Sequence, residues 1–258
     1  MDGNTNLPST VTVALPEITI NADIKTNANE TGLKIVVKDI ILNVEAKDID
    51  ADRNGLEVSG EGQSNKITVK AGNVSSENAM GLNTVGDNKC HIEISAGNVT
   101  SNSSYYQGVY AASYGDSSVK VTTGNVTSAE GDGVYVQGGV LHSDGSSETG
   151  ASVVETHDKI AGGTGIVARS LAGGSAAVTA DSVDAGKFGI KTKVTTQGSK
   201  TDIQVKGDVF GNEAGINIEK NEGETTITIG ETLATEGTAI ILDDTVAAAD
   251  AENLNITV

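Results

Sequence analysis

The stretch Ile67-Thr68-Val69-Lys70-Ala71-Gly72-Asn73-Val74 returns 25 residues later as Ile92-Glu93-Ile94-Ser95-Ala96-Gly97-Asn98-Val99. Such self-similarity at a fixed period is the sequence signature of a stacked repeat architecture. One aliphatic anchor marks each repeat, and successive anchors are 23 to 27 positions apart except for one interval of 34. The nine anchors are Ile24, Ile49, Val74, Val99, Val126, Ile160, Val183, Val209 and Leu233.

Each repeat contains two further apolar segments. The second segment opens with a glycine that is usually followed by an aliphatic residue: Gly32-Leu33, Gly55-Leu56, Gly81-Leu82, Gly108-Val109, Gly133-Val134, Gly165-Ile166, Gly189-Ile190, Gly215-Ile216 and the weaker Gly237-Thr238. The third segment alternates apolar and polar residues, as in Leu42/Val44, Ile67/Val69, Ile92/Ile94, Val119/Val121, Ala176/Val178, Ile203/Val205, Ile227/Ile229 and Leu254/Ile256. Segments this short and this rich in β-branched residues predict strands.

A strand of one repeat can bury its inward side chains only if the same strand of the next repeat lies on it. The sequence therefore predicts an all-β, single-stranded parallel β-helix (β-solenoid) with three strands per coil and about nine coils of about 25 residues. At about 4.8 Å per coil, the rod would be about 43 Å long. A content of 32 glycines, two prolines and 3% aromatic residues suits a narrow core with many turns.

The two ends of the chain depart from the repeat. Residues 1–23 contain both prolines, Pro8 and Pro16, and end in Ile18-Thr19-Ile20, which resembles a third strand. We predict an N-terminal cap or partial coil there, followed by the parallel β-helix over residues 24–258. Because no cap follows the last strand, we expect either that the chain is part of a longer polypeptide with flanking domains or that residues 246–252 fold over the end.

Two insertions interrupt the predicted solenoid. Residues 137–150, rich in Gly, Ser, Asp and Glu, form a loop insertion that could bind a partner or simply be a mobile excursion, and we favour the second alternative. Residues 246–252 form a smaller acidic insertion. The strand at Ser152–Glu155 fits the pattern poorly, and we expect a β-bulge in it.

The net charge of −18 argues against nucleic acid as the main partner and against binding to anionic lipid. No run of 18 apolar residues exists, so no membrane insertion is expected. The single cysteine, Cys90, alternates with Ile92 and is predicted to be a buried thiol. His91, His142 and His157 lack zinc-site spacing, and we expect no metal and no cofactor.

Acidic turns are the weak alternative to that expectation. Glu130-Gly131-Asp132-Gly133 and Asp243-Asp244 could supply oxygen ligands to calcium, but neither has the spacing of a known calcium loop. We favour solvated carboxylates.

Asparagines precede several anchors. Stacked in register, Asn73, Asn98 and Asn125 would form an amide ladder. Each also matches the Asn-x-Ser/Thr acceptor pattern for a glycan, but the stacking position explains them without one.

All five tyrosines fall within two consecutive coils. Because Val109 and Val134 occupy the inward column, Tyr110 and Tyr135 should point outward as neighbours one coil apart. Exposed tyrosines can stack on a sugar ring and offer hydroxyl groups to it, so Tyr106, Tyr110, Tyr114 and Tyr135 are the candidate ligand-binding residues. The alternative is a cross-strand aromatic pair that only stabilises the sheet.

The glycine-aliphatic turns and the Asn-Val strands over residues 18–258 resemble right-handed parallel β-helix proteins, specifically the adhesin-like and autotransporter-passenger-like surface proteins of bacteria. The right-handed twist of the coil is implied by this resemblance alone. It implies a non-catalytic structural or adhesive domain of a secreted or cell-surface bacterial protein, with host or cell-wall glycans or surface proteins as partners.

The pectate-lyase-like fold class also contains polysaccharide lyases and glycoside hydrolases. Of the four polygalacturonase motifs only Asp243-Asp244 is matched, and the two arginines, Arg53 and Arg169, lie in different coils. Two alternatives to the structural function remain: a carbohydrate-binding surface on the tyrosines, and a lyase or hydrolase using Asp132, Asp243 or Asp244.

Overall fold

In the computed structural model, which describes residues 17–62, 65–243 and 253–258, the nine anchors lie one above another in a single column. Ile24 pairs with Ile49, Ile49 with Val74, and the series continues through Val209 to Leu233. A coil is defined here as one anchor strand and the two strands that follow it. The predicted parallel β-solenoid is confirmed.

Three columns of parallel strands build the solenoid. The anchor strands are β2 (Ile24–Lys25), β5 (Ile49–Ala51), β8 (Val74–Ser76), β11 (Val99–Ser101), β14 (Val126–Ser128), the first parts of β19 (Lys159–Ser170) and β21 (Ser182–Val194), β23 (Val209–Gly211) and β26 (Leu233–Ala234). The second column contains β3 (Leu33–Lys38), β6 (Leu56–Glu61), β9 (Leu82–Asp87), β12 (Val109–Ser113), β15 (Asp132–Gly138), the last parts of β19 and β21, β24 (Ala214–Asn221) and β27 (Thr238–Leu242).

The third column completes each coil. Its strands are β1 (Glu17–Ile20), β4 (Ile41–Ala46), β7 (Lys66–Lys70), β10 (His91–Ser95), β13 (Ser117–Thr123), β18 (Gly150–Thr156), β20 (Ser175–Ala180), β22 (Lys200–Val205), β25 (Glu224–Ile229) and β28 (Leu254–Thr257). The described residues contain no α-helix, and hence no helix that could cross a membrane.

The inward side chains of the three columns form one continuous core. Eight anchors are buried, and Leu233 of the last coil is partly buried. In the second column the residues after the glycines pair in register from Leu33 to Ile216, as predicted. The prediction is wrong in the last coil, where Ile240 pairs with Ile216 and Thr238 pairs with Ala214.

The bulge predicted at Ser152–Glu155 is absent from that strand. β18 pairs with β13 without a shift, so that Ser152 lies opposite Val119 and Val154 opposite Val121. Ser152 fits the core because its buried hydroxyl donates to the Gln137 carbonyl at 2.7 Å. Register shifts lie instead in the pairing of β19 with β21, between Gly162 and Thr164, and in the pairing of β21 with β24, between Thr192 and Lys193.

The insertion at 137–150 forms a short antiparallel hairpin of β16 (Val140–Leu141) and β17 (Ser147–Glu148). Gln137 belongs to β15 and Gly150 to β18, so the excursion is shorter than predicted. At the N-terminus β1 pairs with β4, which makes it the third strand of a partial coil. The remaining predicted cap and the insertion at 246–252 lie outside the described residues.

The predicted asparagine ladder is present: one bond joins two amides, from Nδ2 of Asn125 to Oδ1 of Asn98 at 3.4 Å, and backbone N–H groups donate along the rest of the series. The backbone N–H of Asn73 donates to Oδ1 of Asp48 at 2.7 Å, and the N–H of Asn98 donates to Oδ1 of Asn73 at 2.9 Å. Asn125 and Lys159 continue the series at 2.9 and 3.2 Å. Each side chain thus satisfies a backbone donor in the next coil.

Candidate functional site

Tyr110 of β12 lies directly opposite Tyr135 of β15 on the outer face of the second column. Their ring centroids are 5.1 Å apart and the ring planes differ by 14°, so the rings are stacked along the solenoid axis. The spacing of one coil brings paired residues close enough for such contact. The predicted neighbour relationship between the two tyrosines is confirmed.

The stacking changes what the tyrosines can offer to a ligand. One face of Tyr135 lies against Tyr110, and the guanidinium carbon of Arg169 is 5.5 Å from the Tyr135 ring centroid. A sugar ring that stacked on Tyr135 would have to displace one of these neighbours. The ring edges and hydroxyl groups are therefore the parts most suited to contact a ligand.

Hydrogen bonds connect the tyrosines to one another and to a glutamine. The hydroxyl groups of Tyr110 and Tyr114 are 3.4 Å apart. The Tyr135 hydroxyl donates to Oε1 of Gln137 at 3.0 Å, and Nε2 of Gln137 donates to the Gly139 carbonyl at 3.1 Å. We call Tyr110, Tyr114, Tyr135, Gln137 and Arg169 the tyrosine cluster.

Burial sets the protonation of the cluster. Tyr110, Tyr114 and Tyr135 are half-buried rather than fully exposed. Burial raises the pKa of Tyr114, and its hydrogen bond to Tyr110 adds to that shift. Burial also raises the pKa of Tyr135, while the positive charge of Arg169 acts in the opposite direction. The phenols of Tyr114 and Tyr135 consequently stay neutral at physiological pH and can donate as well as accept hydrogen bonds.

Tyr106 lies apart from this cluster, in the turn before β12, and is 43% exposed. Its backbone carbonyl accepts a hydrogen bond from the Ser128 hydroxyl at 2.8 Å. Tyr105, at 84% exposure, is beside it. Of the four candidate tyrosines, the fold thus brings Tyr110, Tyr114 and Tyr135 together, whereas Tyr106 lies outside this group in the turn before β12.

Sequence reasoning missed Gln137 and Arg169. In β15, Gln137 is two residues after Tyr135 and so points to the same side. Arg169, in β19, lies opposite Gln137 of β15. Aligning Gly133 with Gly165 would have predicted this pair, because each residue lies four positions after its glycine. The interval of 34 residues between the anchors Val126 and Ile160 made that alignment hard to find.

A cleft of about 300 Å³ opens on the same outer face in coils one to three. Val36, Ser59 and Val85 are among the residues that line it. Asp87 lines the cleft, and its negative charge acts on the pKa of Tyr114. The cleft and the tyrosine cluster are therefore neighbours along the solenoid.

The candidate catalytic carboxylates are far apart. Asp132 lies in coil five, where its Oδ2 accepts a hydrogen bond from Nε2 of Gln107 at 3.2 Å. Asp243 follows β27 in coil nine, and Asp244 lies outside the described residues. Four coils correspond to roughly 19 Å, so Asp132 and Asp243 do not form a pair at the separation of about 5–9 Å that glycoside hydrolysis uses.

Potential metal ligands are also dispersed. Within residues 17–62, 65–243 and 253–258, no three His, Cys, Asp or Glu side chains are grouped so that they could hold an ion. His91 is exposed, and its Nδ1 is hydrogen-bonded to the Ser118 hydroxyl. Cys90 is buried, as predicted.

Neither a protein-family model, nor a curated protein, nor a solved structure matches this chain. The fold is that of a parallel β-solenoid, and the tyrosine cluster lies on the outer face of its second column.

Proposed function

We propose that this solenoid is a non-catalytic structural and adhesive domain of a secreted or cell-surface bacterial protein of the adhesin-like class. The observation that carries the proposal is the unbroken register of the anchors from Ile24 to Leu233. In a body built this way, hydrogen bonds join neighbouring coils in all three strand columns. Such a rod suits a stalk that holds a contact surface away from a cell.

Side chains between coils support the same function. Lys34 pairs with Glu57 at 2.7 Å, and Lys200 pairs with Glu224 at 3.0 Å, each across one coil boundary. Single surface ion pairs contribute little free energy, but opposite charges in adjacent coils favour the native register over a slipped one. The net charge of −18 would also keep neighbouring rods apart.

Small-angle X-ray scattering and adhesion assays test this proposal together. We expect a rigid rod whose solenoid portion is about 43 Å long, and retention of protein-coated beads on bacterial or host cell surfaces. The same preparation should release no reducing ends or unsaturated sugars from a panel of polysaccharides. Turnover of any of them, or beads retained no better than albumin-coated beads, would contradict the proposal.

The tyrosine cluster favours carbohydrate binding as a second candidate function, which is compatible with adhesion. It combines phenol hydroxyl groups, an amide and a guanidinium group on one half-buried face. Polar groups of this kind beside aromatic surface suit the hydroxyls and ring of a sugar.

A glycan array with and without calcium tests this second function. Tyr135→Phe keeps the stacked ring but removes the hydroxyl that bonds Gln137, so it should weaken glycan binding without disturbing the fold. Tyr105→Phe removes a hydroxyl outside the cluster and serves as the matched control. Equal binding by both variants would place the glycan site elsewhere, and calcium dependence would direct attention to the acidic turns.

A further inference from the structure

We propose that Arg169 and the lysines beyond it form a subsite for the acidic group, a carboxylate or a sulfate, of a saccharide. This inference rests on the carbohydrate-binding function proposed above and adds the chemical class of the ligand. It is drawn from the order of residues along one outward column of the second strands.

That column places cations on top of one another. Gln137 pairs with Arg169, Arg169 with Lys193, and Lys193 with Lys220, one residue from each of coils five to eight. Like charges directly opposite in a sheet destabilise it. Three stacked cations are therefore unusual in a chain with 35 acidic and 17 basic residues.

Carboxylates compensate the lysines of this face. Lys191 lies 2.6 Å from Glu219, and Lys193 lies 4.0 Å from the same carboxylate. Lys220 lies 2.6 Å from Glu222. These lysines are thus held in place with part of their charge neutralised.

Arg169 differs from them. Among the described residues no carboxylate forms an ion pair with it, and its Nε is buried without a hydrogen-bond partner. Its guanidinium group contacts the Tyr135 ring, and the side chain is partly exposed. A planar fork of donors fixed against an aromatic ring is suited to bidentate contact with a carboxylate or sulfate.

The neighbours of Arg169 indicate that this anion is attached to a sugar. The Tyr135 hydroxyl and the Gln137 amide lie beside it and can exchange hydrogen bonds with ring hydroxyl groups. An anion without a sugar would leave the hydroxyl and amide groups beside Arg169 without a hydrogen-bonding partner from the ligand. An acidic saccharide satisfies both the cation and the polar neighbours.

Calorimetric titration of the whole chain tests the subsite with four probes: an oligogalacturonate, a heparin oligosaccharide, a neutral cello-oligosaccharide and inorganic polyphosphate. We expect one of the two acidic saccharides to bind more tightly than the other two probes. Arg169→Ala should weaken this binding about tenfold or more, and Arg169→Lys should restore only part of it because a lysine has no fork. Lys200→Ala removes an exposed, paired cation of the third column and should change nothing.

Each other outcome is decisive. If the acidic saccharides bind equally well to the parent chain and to both Arg169 variants, the subsite is overturned and carbohydrate binding is not. Tighter binding of the neutral probe than of the acidic saccharides would have the same meaning. Polyphosphate binding as tight as that of the acidic saccharides would show that the subsite binds anions by their charge alone, and it would overturn the assignment to a saccharide. No binding of any of the four probes would overturn the subsite, and the glycan array would decide separately on carbohydrate binding. If Arg169→Ala unfolds the chain, Arg169→Lys alone decides.

Discussion

The rings of Tyr110 and Tyr135 stack face to face, with their centroids 5.1 Å apart, because the two residues occupy equivalent positions in adjacent coils. The distance is close to the spacing of about 4.8 Å between neighbouring strands. The stack is thus imposed by the solenoid, and it gives the pair a structural function whether or not a ligand binds beside it.

The stability of this stack can be measured with a double-mutant cycle on Tyr110→Ala and Tyr135→Ala. We expect a coupling free energy of about 0.5–1.5 kcal/mol in denaturant unfolding, the usual value for an aromatic pair beyond its buried area. Tyr105→Ala, which removes an exposed ring, should leave the unfolding midpoint unchanged. Strict additivity of the two changes would mean that the rings contribute separately.

The glycine that precedes the second strand is required by close packing. A Cβ on Gly189 would lie 2.6 Å from Cγ1 of Val209 and 2.7 Å from the Gly215 carbonyl oxygen of the next coil. We expect Gly189→Ala to lower the free energy of unfolding by about 1–3 kcal/mol, because the coils would have to move apart.

Gly186 of the same strand provides the matched control. A Cβ there would meet nothing closer than 3.9 Å. Gly186→Ala should leave stability unchanged or raise it by less than about 1 kcal/mol. Equal destabilisation by the two substitutions would show that the contact across the coils is not the reason for glycine at position 189.

The Cys90 thiol should make stability depend on alkaline pH. Burial raises the pKa of Cys90 from its usual 9.0 to about 11. The unfolded chain would therefore lose this proton at a lower pH than the native protein does, so the contribution to stability is complete below pH 9.0 and is lost as pH rises towards about 11.

The measurement is the free energy of unfolding between pH 8 and 11 for the parent chain and for Cys90→Ala. The parent should lose more stability than the variant over this interval, since tyrosine and lysine titration is common to both. Parallel curves would contradict a shifted thiol pKa. A thiol reagent at pH 8 should likewise react with Cys90 only after unfolding.

The asparagine ladder offers a test of hydrogen bonding between coils. Asn98→Ala leaves the backbone N–H of Asn125 without its acceptor, at an expected cost of about 0.5–1.5 kcal/mol. Asn98→Asp keeps the oxygen and reproduces the arrangement at Asp48, so it should retain most of the stability. Thermal unfolding of both variants would distinguish them, and an Asn98→Asp loss as large as that of alanine would refute the account.

Several details of the core could not be predicted from the alternating pattern. Ser152 appeared too polar for a core strand, but it is buried because the neighbouring Gln137 carbonyl accepts its hydrogen bond. Thr201 and Thr225 also face inward, with their hydroxyls bonded to Ser170 and Asn221. A buried polar residue of this kind cannot be recognised until its partner in another strand is known.

The parallel β-solenoid and the order of residues along its columns could be predicted from the repeat, because only residues at equivalent positions of the repeat can stack into a buried column. The pairing of Tyr110 with Tyr135 follows from that equivalence alone. Three features became visible only in the folded chain. The Tyr110 and Tyr135 rings cover one face of each other, and Arg169 lies over the Tyr135 ring. Ile240, rather than Thr238, ends the second column. Ring orientation depends on contacts between coils, and strand register in irregular coils depends on bulges and insertions, neither of which the period of the sequence encodes.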